Sequence, residues 1–176
     1  MIVWINGPFG VGKTSTAKAL HKLLPESHLF DPEETGQFLW AMFPPEMQRQ
    51  GDFQDIPLWR SFNRDLLAYL SEAWQGTLIV PMTLVRPDYV EEIIGGLRNR
   101  GIRVEHFVLT APPETICRRL RGRGEPENGW AQQQLPRCLA ALAEMSGCRN
   151  IDTQALDPQA VAEKIWQEIR HGQPPV

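Results

Sequence analysis

The chain has 176 residues, 42% hydrophobic and 22% charged, with a formal net charge of −3. That is ordinary globular usage for a single domain, and it excludes a disordered or fibrous chain. The longest apolar runs, Met1 to Ile5 and Leu78 to Val85, fall far short of the roughly 20 residues a membrane span needs, and the acidic balance argues against a general nucleic-acid binder.

Ile2 to Ile5 reads as a short buried strand. No basic stretch precedes it, so the start of the chain does not read as a secretory signal. Gly7-Pro8-Phe9-Gly10-Val11-Gly12-Lys13-Thr14 follows at once and fits the phosphate-loop pattern G-x-x-x-x-G-K-[ST]. Glycines let successive backbone amides curl toward phosphate oxygens, and the helix that follows adds its positive N-terminus. Lys13 is expected to reach the β- and γ-phosphates of ATP, and the Thr14 hydroxyl to ligate Mg²⁺. Ser15 completes the expected nucleotide-binding stretch. With 14 Gly in the chain, chance produces such a match in roughly two of a thousand similar sequences. The bland alternative is a Gly turn that caps a helix.

From Lys13, the spacing of Ala17, Leu20, Leu23 and Leu24 predicts a helix that Pro25 ends. His28 to Phe30 reads as a second strand. Asp31 follows it and can cap the helix that Pro32 begins. A carboxylate at a strand end can also take a proton from a substrate hydroxyl or hold Mg²⁺. Both roles are compatible. Glu33 and Glu34 fall in the first turn, where acids are favourable in any case; Glu34 joins Asp31 as a candidate substrate contact. Phe38, Trp40, Met42 and Phe43 are read first as core, and otherwise as the wall of a pocket.

Trp59 to Trp74 predicts a long amphipathic helix stopped by Gly76, and Leu78 to Val80 a third strand. Thr83, just beyond, and then Arg86 are candidate substrate contacts, against a simple turn and a surface charge. Pro87 opens a helix through Leu97 that Gly101 ends. Arg103 to Leu109 reads as a fourth strand, and Pro112-Pro113 start a helix through Leu120. Arg118, Arg119, Arg121 and Arg123 crowd its end. Phosphoryl transfer needs cations and a flap that excludes water, so Arg119 and Arg123 are expected to meet ATP from a mobile lid over residues 119–131. A solvated basic helix end is the plainer reading.

Leu135, Leu139 and Leu142 predict the next helix, and Cys148 to Ile151 a fifth strand. Asn150 to Thr153 stand where adenine often lies in such folds. Asp157-Pro158 caps a last helix through Ile169, and the tail past Gly172 is expected to fray. Cys117, Cys138 and Cys148 show no disulfide or zinc pattern, which fits a reducing cytoplasm. Histidines at 21, 28, 106 and 171 form no ligand pair.

Strands and helices alternate about five times over residues 1–176. That argues one α/β domain in three layers, a parallel sheet with helices on both faces, with ligands at the C-terminal strand ends. A GTPase would carry N-K-x-D; the nearest string, Asn63-Arg64-Asp65, has the wrong spacing. A large ATPase would end a strand in an acid, and Leu78 to Met82 has none. A compact kinase remains.

Trp4-Ile5-Asn6-Gly7-Pro8-Phe9-Gly10-Val11-Gly12-Lys13-Thr14, then Phe30-Asp31-Pro32-Glu33 with Gly36, Val80-Pro81-Met82-Thr83 and Arg123-Gly124-Glu125 resemble the tunicamycin resistance protein family. More distantly the chain is similar to nucleoside monophosphate kinases, shikimate kinase and chloramphenicol phosphotransferase. The resemblance implies a P-loop kinase-like fold with strand order 2-3-1-4-5 and a short mobile lid. It implies an ATP- and Mg²⁺-dependent phosphotransferase whose acceptor is an antibiotic such as tunicamycin. By carry-over, Gly7 to Thr14 bind ATP, Asp31 is the base, and Arg119 and Arg123 belong to the lid. The Asp-Gly-x-Pro-Arg piece of nucleoside monophosphate kinases is missing after the third strand, which favours a neutral hydroxyl acceptor. Three alternatives stay open: a nucleotide-driven switch, a protein that sequesters the drug without transfer, and a housekeeping nucleoside, nucleotide or sugar kinase.

Overall fold

Ile2–Asn6 form β1, and all five residues are buried. A strand hidden on both faces reads as a continuous apolar run, as in parallel sheets covered by helices. A computed structural model describes residues 1–47 and 52–171; the tail past Gly172 lies outside the described residues. After β1 come α1 (Lys13–Leu23), β2 (Ser27–Leu29), α2 (Pro32–Met42), α3 (Pro57–Ala73) and β3 (Thr77–Pro81). Then follow α4 (Pro87–Val90), α5 (Gly96–Asn99), β4 (Val104–Thr110), α6 (Pro113–Arg121), α7 (Trp130–Ala143), β5 (Arg149–Asp152) and α8 (Pro158–His171).

The five strands make one parallel sheet in the order β2-β3-β1-β4-β5, the order that the family resemblance implies. Val3 and Ile5 face one layer, where they meet Leu20 of α1, Ile116 and Leu120 of α6, and Val161 and Ile165 of α8. Ile2 and Trp4 face the other, against Trp59 and Leu67 of α3 and Ile93, Ile94 and Leu97 around α5. Each fully buried Val, Leu or Ile stabilises by about 1.5–3 kcal/mol, so β1 is a stiff platform. Its neighbours β3 and β4 lead away in opposite directions across the sheet. The crevice past the end of β1 is therefore the place where such a sheet binds ligand.

Several boundaries depart from the sequence expectation. The second strand begins one residue early, yet the Phe30 amide still donates to Ile79 O at 2.9 Å. The helix expected through Leu135, Leu139 and Leu142 begins at Trp130 and carries Pro136 inside it. The helix opened by Pro87 contains a π turn at Glu91–Gly95, where both Ile93 and Ile94 are fully buried. A Cβ on Gly96 would lie 2.8 Å from Arg64 Cδ of α3, so the helix approaches α3 closely there. Short 3₁₀ turns at Pro45–Met47 and Phe53–Asp55 had no signal in the apolar spacing.

Candidate active site

The loop from Gly7 to Gly12 turns back over the end of β1. Gly7 sits at φ +146° and Gly10 at φ +80°. A Cβ on Gly7 would lie 2.8 Å from Leu109 O, and one on Gly10 2.7 Å from Leu120 Cγ. Glycine is thus required at both by conformation and by space. The loop is held from beneath by Asn6. Its buried Oδ1 accepts from the Gly7 amide (2.8 Å) and the Leu84 amide (2.9 Å), and its Nδ2 donates to Leu84 O (2.8 Å). Thr83 adds a third tie, its hydroxyl donating to Gly7 O at 2.9 Å.

Lys13 folds back over the loop. Its Nζ donates to Gly7 O (3.0 Å) and Pro8 O (3.1 Å) and stands 5.4 Å from the Phe9 ring centre. Burial lowers its pKa to about 8, with the Glu33 charge opposing the shift. A phosphate anion would supply the charge that this half-desolvated ammonium lacks.

Three cavities adjoin the loop. The first, about 340 Å³, lies over Val11, Gly12 and Ser15 and is closed by Arg119, Arg123 and Thr153. Arg119 Nη1 donates to Val11 O (3.0 Å) and Thr153 Oγ1 (2.9 Å), and Nη2 to Thr153 O (2.6 Å). That fork fixes Arg119 at the end of the cleft that abuts β5 and α8. The second cavity, about 190 Å³, is lined by Gly12, Lys13, Thr14, Asp31, Glu33 and Arg123, with Phe9 among the rest. Arg123 is therefore shared between the first two. The third, about 210 Å³, has Glu33, Asp52 and Gln54 for its polar wall and Phe9, Trp40, Phe53, Met82 and Trp130 for its apolar one. Glu33 and Phe9 are common to the second and third.

Local sequence explains this chamber. Asp31 caps α2 by accepting from the Glu33 amide at 2.9 Å, as its place before Pro32 predicts. Glu33 and Trp40 are seven residues apart, two turns along one helical stripe. Gly36 lies between them, and a Cβ there would meet the Phe53 ring at 2.7 Å. Phe53 packs against Trp40 (5.4 Å between centres) and Trp59 (5.2 Å), and Trp130 stands edge-on to Phe9 at 4.9 Å. The Trp40 indole N–H is buried without a hydrogen-bond partner. Burial, then the Asp31 charge, pushes the Glu33 carboxyl above its ordinary value while Lys13 opposes. Burial also pushes Asp52 up, against a backbone hydrogen bond from Gln54.

The structure brings Gly10, Gly12, Lys13, Thr14, Asp31 and Arg123 together at one cavity, and gathers Val11, Ser15 and Arg119 at the next. It does not bring Thr83, Glu34 or Arg86 to any of the three. Thr83 is buried and engaged beneath the loop. Glu34 is exposed. Arg86 pairs with Asp88 at 2.6 Å and lies over the Tyr89 ring. Of the aromatic cluster, Trp40 lines the chamber, while Phe38 and Met42 are 53% and 64% exposed. Sequence reasoning read Glu33 first as a helix-turn acid, placed Trp130 only within the lid range, and passed over Asp52. Helical phase was a usable signal for Glu33, since it shares a stripe with Trp40; nothing local marked Asp52.

The donor set suits the groups the loop implies. Positive-φ glycines make a cradle for a polyphosphate. Thr14 and Asp31 offer the hard oxygens that Mg²⁺ takes alongside phosphate. Among the described residues there is no cluster of three or more His, Cys, Asp or Glu that would form an all-protein metal cage. No helix among the described residues is long and apolar enough to cross a membrane.

A family model described as an AAA domain matches residues 2–146. None of the curated proteins matches the sequence. Among solved structures, the tunicamycin resistance protein of Deinococcus radiodurans is 40% identical over 99% of this chain and 98% of its own, with a TM-score of 0.81. A sugar kinase from Janibacter sp. HTCC2649 superposes with a TM-score of 0.71 at 18% identity, covering 97% and 95% of the two chains. Shikimate kinase from Acinetobacter baumannii, in complex with shikimate, gives 0.62 at 21% identity, covering 99% and 95%. The last two establish a shared kinase-like fold.

Proposed function

This chain belongs to the tunicamycin resistance protein family within the AAA-domain proteins, and on that premise we propose that it is an ATP-dependent phosphotransferase acting on a hydroxyl of a small nucleoside-like acceptor such as tunicamycin. The observation that carries this reading is the shared wall. Glu33 and Phe9 are shared by the cavity beside Lys13 and a largely aromatic chamber. A protein that only hydrolyses nucleotide has no need of a second, aromatic-lined pocket abutting the phosphate loop.

The loop amides and Lys13 hold the triphosphate, and Arg119 frames the nucleoside end. Thr14 and Asp31 would hold Mg²⁺, which would supply positive charge against the phosphates. Glu33, with its raised pKa, takes the proton of the acceptor hydroxyl. The hydroxyl oxygen bonds to the γ-phosphorus, the bridging P–O bond breaks, and ADP leaves with the electron pair. Arg123, which borders both nucleotide cavities, meets the charge that develops in transfer. Positioning and electrostatics supply most of the rate.

The test is ADP release with tunicamycin, uridine compounds, aminosugars and nucleoside monophosphates, with mass spectrometry for an added phosphoryl group. Acceptor-dependent ADP release and a phosphorylated product are expected, both abolished by Lys13→Ala. Asp31→Asn and Glu33→Gln are expected to lower turnover at least tenfold, the usual size of lost acid–base or metal help, with smaller effects on ATP affinity. Stoichiometric binding of the drug without ADP would replace transfer by sequestration.

A further inference from the structure

The aromatic chamber has a composition that specifies more than size. At about 210 Å³ it is smaller than the ~300–1,000 Å³ usual for drug-sized ligands, so it takes one ring. Its apolar wall is made of aromatic faces and edges plus Met82, and its charged wall is Glu33 and Asp52. No Lys, Arg or His among the described residues lines it. Lys13 and Arg137 act on the two carboxylates only from outside the lining.

Two carboxylates facing one cavity whose lining holds no cation are an unfavourable arrangement unless an occupant brings positive charge. Aromatic rings around such a spot attract a cation again through their quadrupoles. The partnerless indole N–H of Trp40 calls for an oxygen acceptor on the same occupant. We infer that the ring entering this chamber is an amino sugar: a hydroxylated ring whose protonated amine sits among Asp52 and the aromatic wall while a hydroxyl faces Glu33. The inference rests on the phosphotransfer reading above and, among the small-molecule acceptors that reading allows, favours one with a free amine over tunicamycin. Asp52 then acts as a specificity residue, and carboxylate or phosphate acceptors are turned away by like charge.

Three pyranoses of different charge test this. Glucosamine, N-acetylglucosamine and glucuronate are titrated by calorimetry into the full chain carrying a non-hydrolysable ATP analogue. Glucosamine is expected to bind at least tenfold tighter than N-acetylglucosamine, a ratio typical of a charge-assisted contact, and glucuronate weakest. Asp52→Asn is expected to shrink the ratio toward one. Equal or reversed ranking in the unaltered protein overturns the inference, as does absence of binding by all three, and so does a ratio indifferent to Asp52→Asn in a variant with an unaltered melting profile. Failure of the ATP analogue itself to bind strikes the phosphotransfer reading instead.

Discussion

Lys13 is held by two carbonyls of its own loop, at Gly7 and Pro8, and its pKa is lowered to about 8 by burial. Bound phosphates favour the ammonium form, so they raise that value. Nucleotide binding should therefore take up protons just above pH 8, and affinity should fall as pH rises through that point. Calorimetry in buffers of different ionisation heat reads the uptake; Lys13→Arg, which stays charged, should erase it. In the absence of ligand the unfolded chain holds more protons between about pH 8 and 10.5. The penalty of the buried ammonium accordingly fades as pH rises across that window. Asn6 belongs to the same scale. Asn6→Leu strands the amides of Gly7 and Leu84, at about 1–3 kcal/mol for each buried donor without a partner. Urea unfolding should show that loss, together with weaker nucleotide binding; a variant as stable as the parent would mean the two amides find other acceptors.

Between residue and molecule, α6 and the segment after it behave as distinct parts. Leu120 packs where a Gly10 Cβ would stand, and Arg119 reaches Val11 O, so α6 is fastened to the phosphate loop. Residues 121–128 are exposed. Their return to the site is made by Trp130 against Phe9, both in the wall of the aromatic chamber. Closing elements of this kind exclude water from transfer. Trp130→Ala, or a shortened loop between Gly122 and Trp130, should raise ATP hydrolysis several-fold relative to transfer. An unchanged ratio of free phosphate to phosphorylated acceptor would deny the segment a lid role. The helix phase of α2 is the other decision at this scale: both acids are exposed, but Glu33 lines two of the cavities and Glu34 none of the three.

Across the whole molecule, the sheet core carries one titratable group with a large displacement. His106, on β4, is 2% exposed, and its Nε2 lies 3.3 Å from Asn6 Nδ2. Burial, and secondarily Arg98, lowers its pKa from 6.5 to about 4. The unfolded chain thus binds the proton first, and stability falls as pH drops from 6.5 toward 4, by about 3 kcal/mol at the end. Urea titrations over that range should show the slope, and His106→Gln should flatten it. A slope unaltered by that change would place the acid sensitivity in other groups.

The phosphate loop and the alternation of strands and helices were legible because each depends on neighbours in sequence. A Gly pattern sets a local curl, and apolar period sets which face is buried. The strand order came through the family resemblance, since period alone leaves the neighbours of β1 open. Asp31 could be read as a cap from Pro32 beside it, and it does cap α2. Thr83 looked like a free hydroxyl at a strand end, but it donates its hydrogen bond to Gly7 O of the loop, 76 residues away in sequence. Asp52, Phe53 and Trp130 meet Trp40 and Glu33 in one chamber although they come from separate stretches of the chain. Local chemistry determined the curl of the phosphate loop; the composition of the aromatic chamber was decided only when the folded sheet brought those distant side chains together.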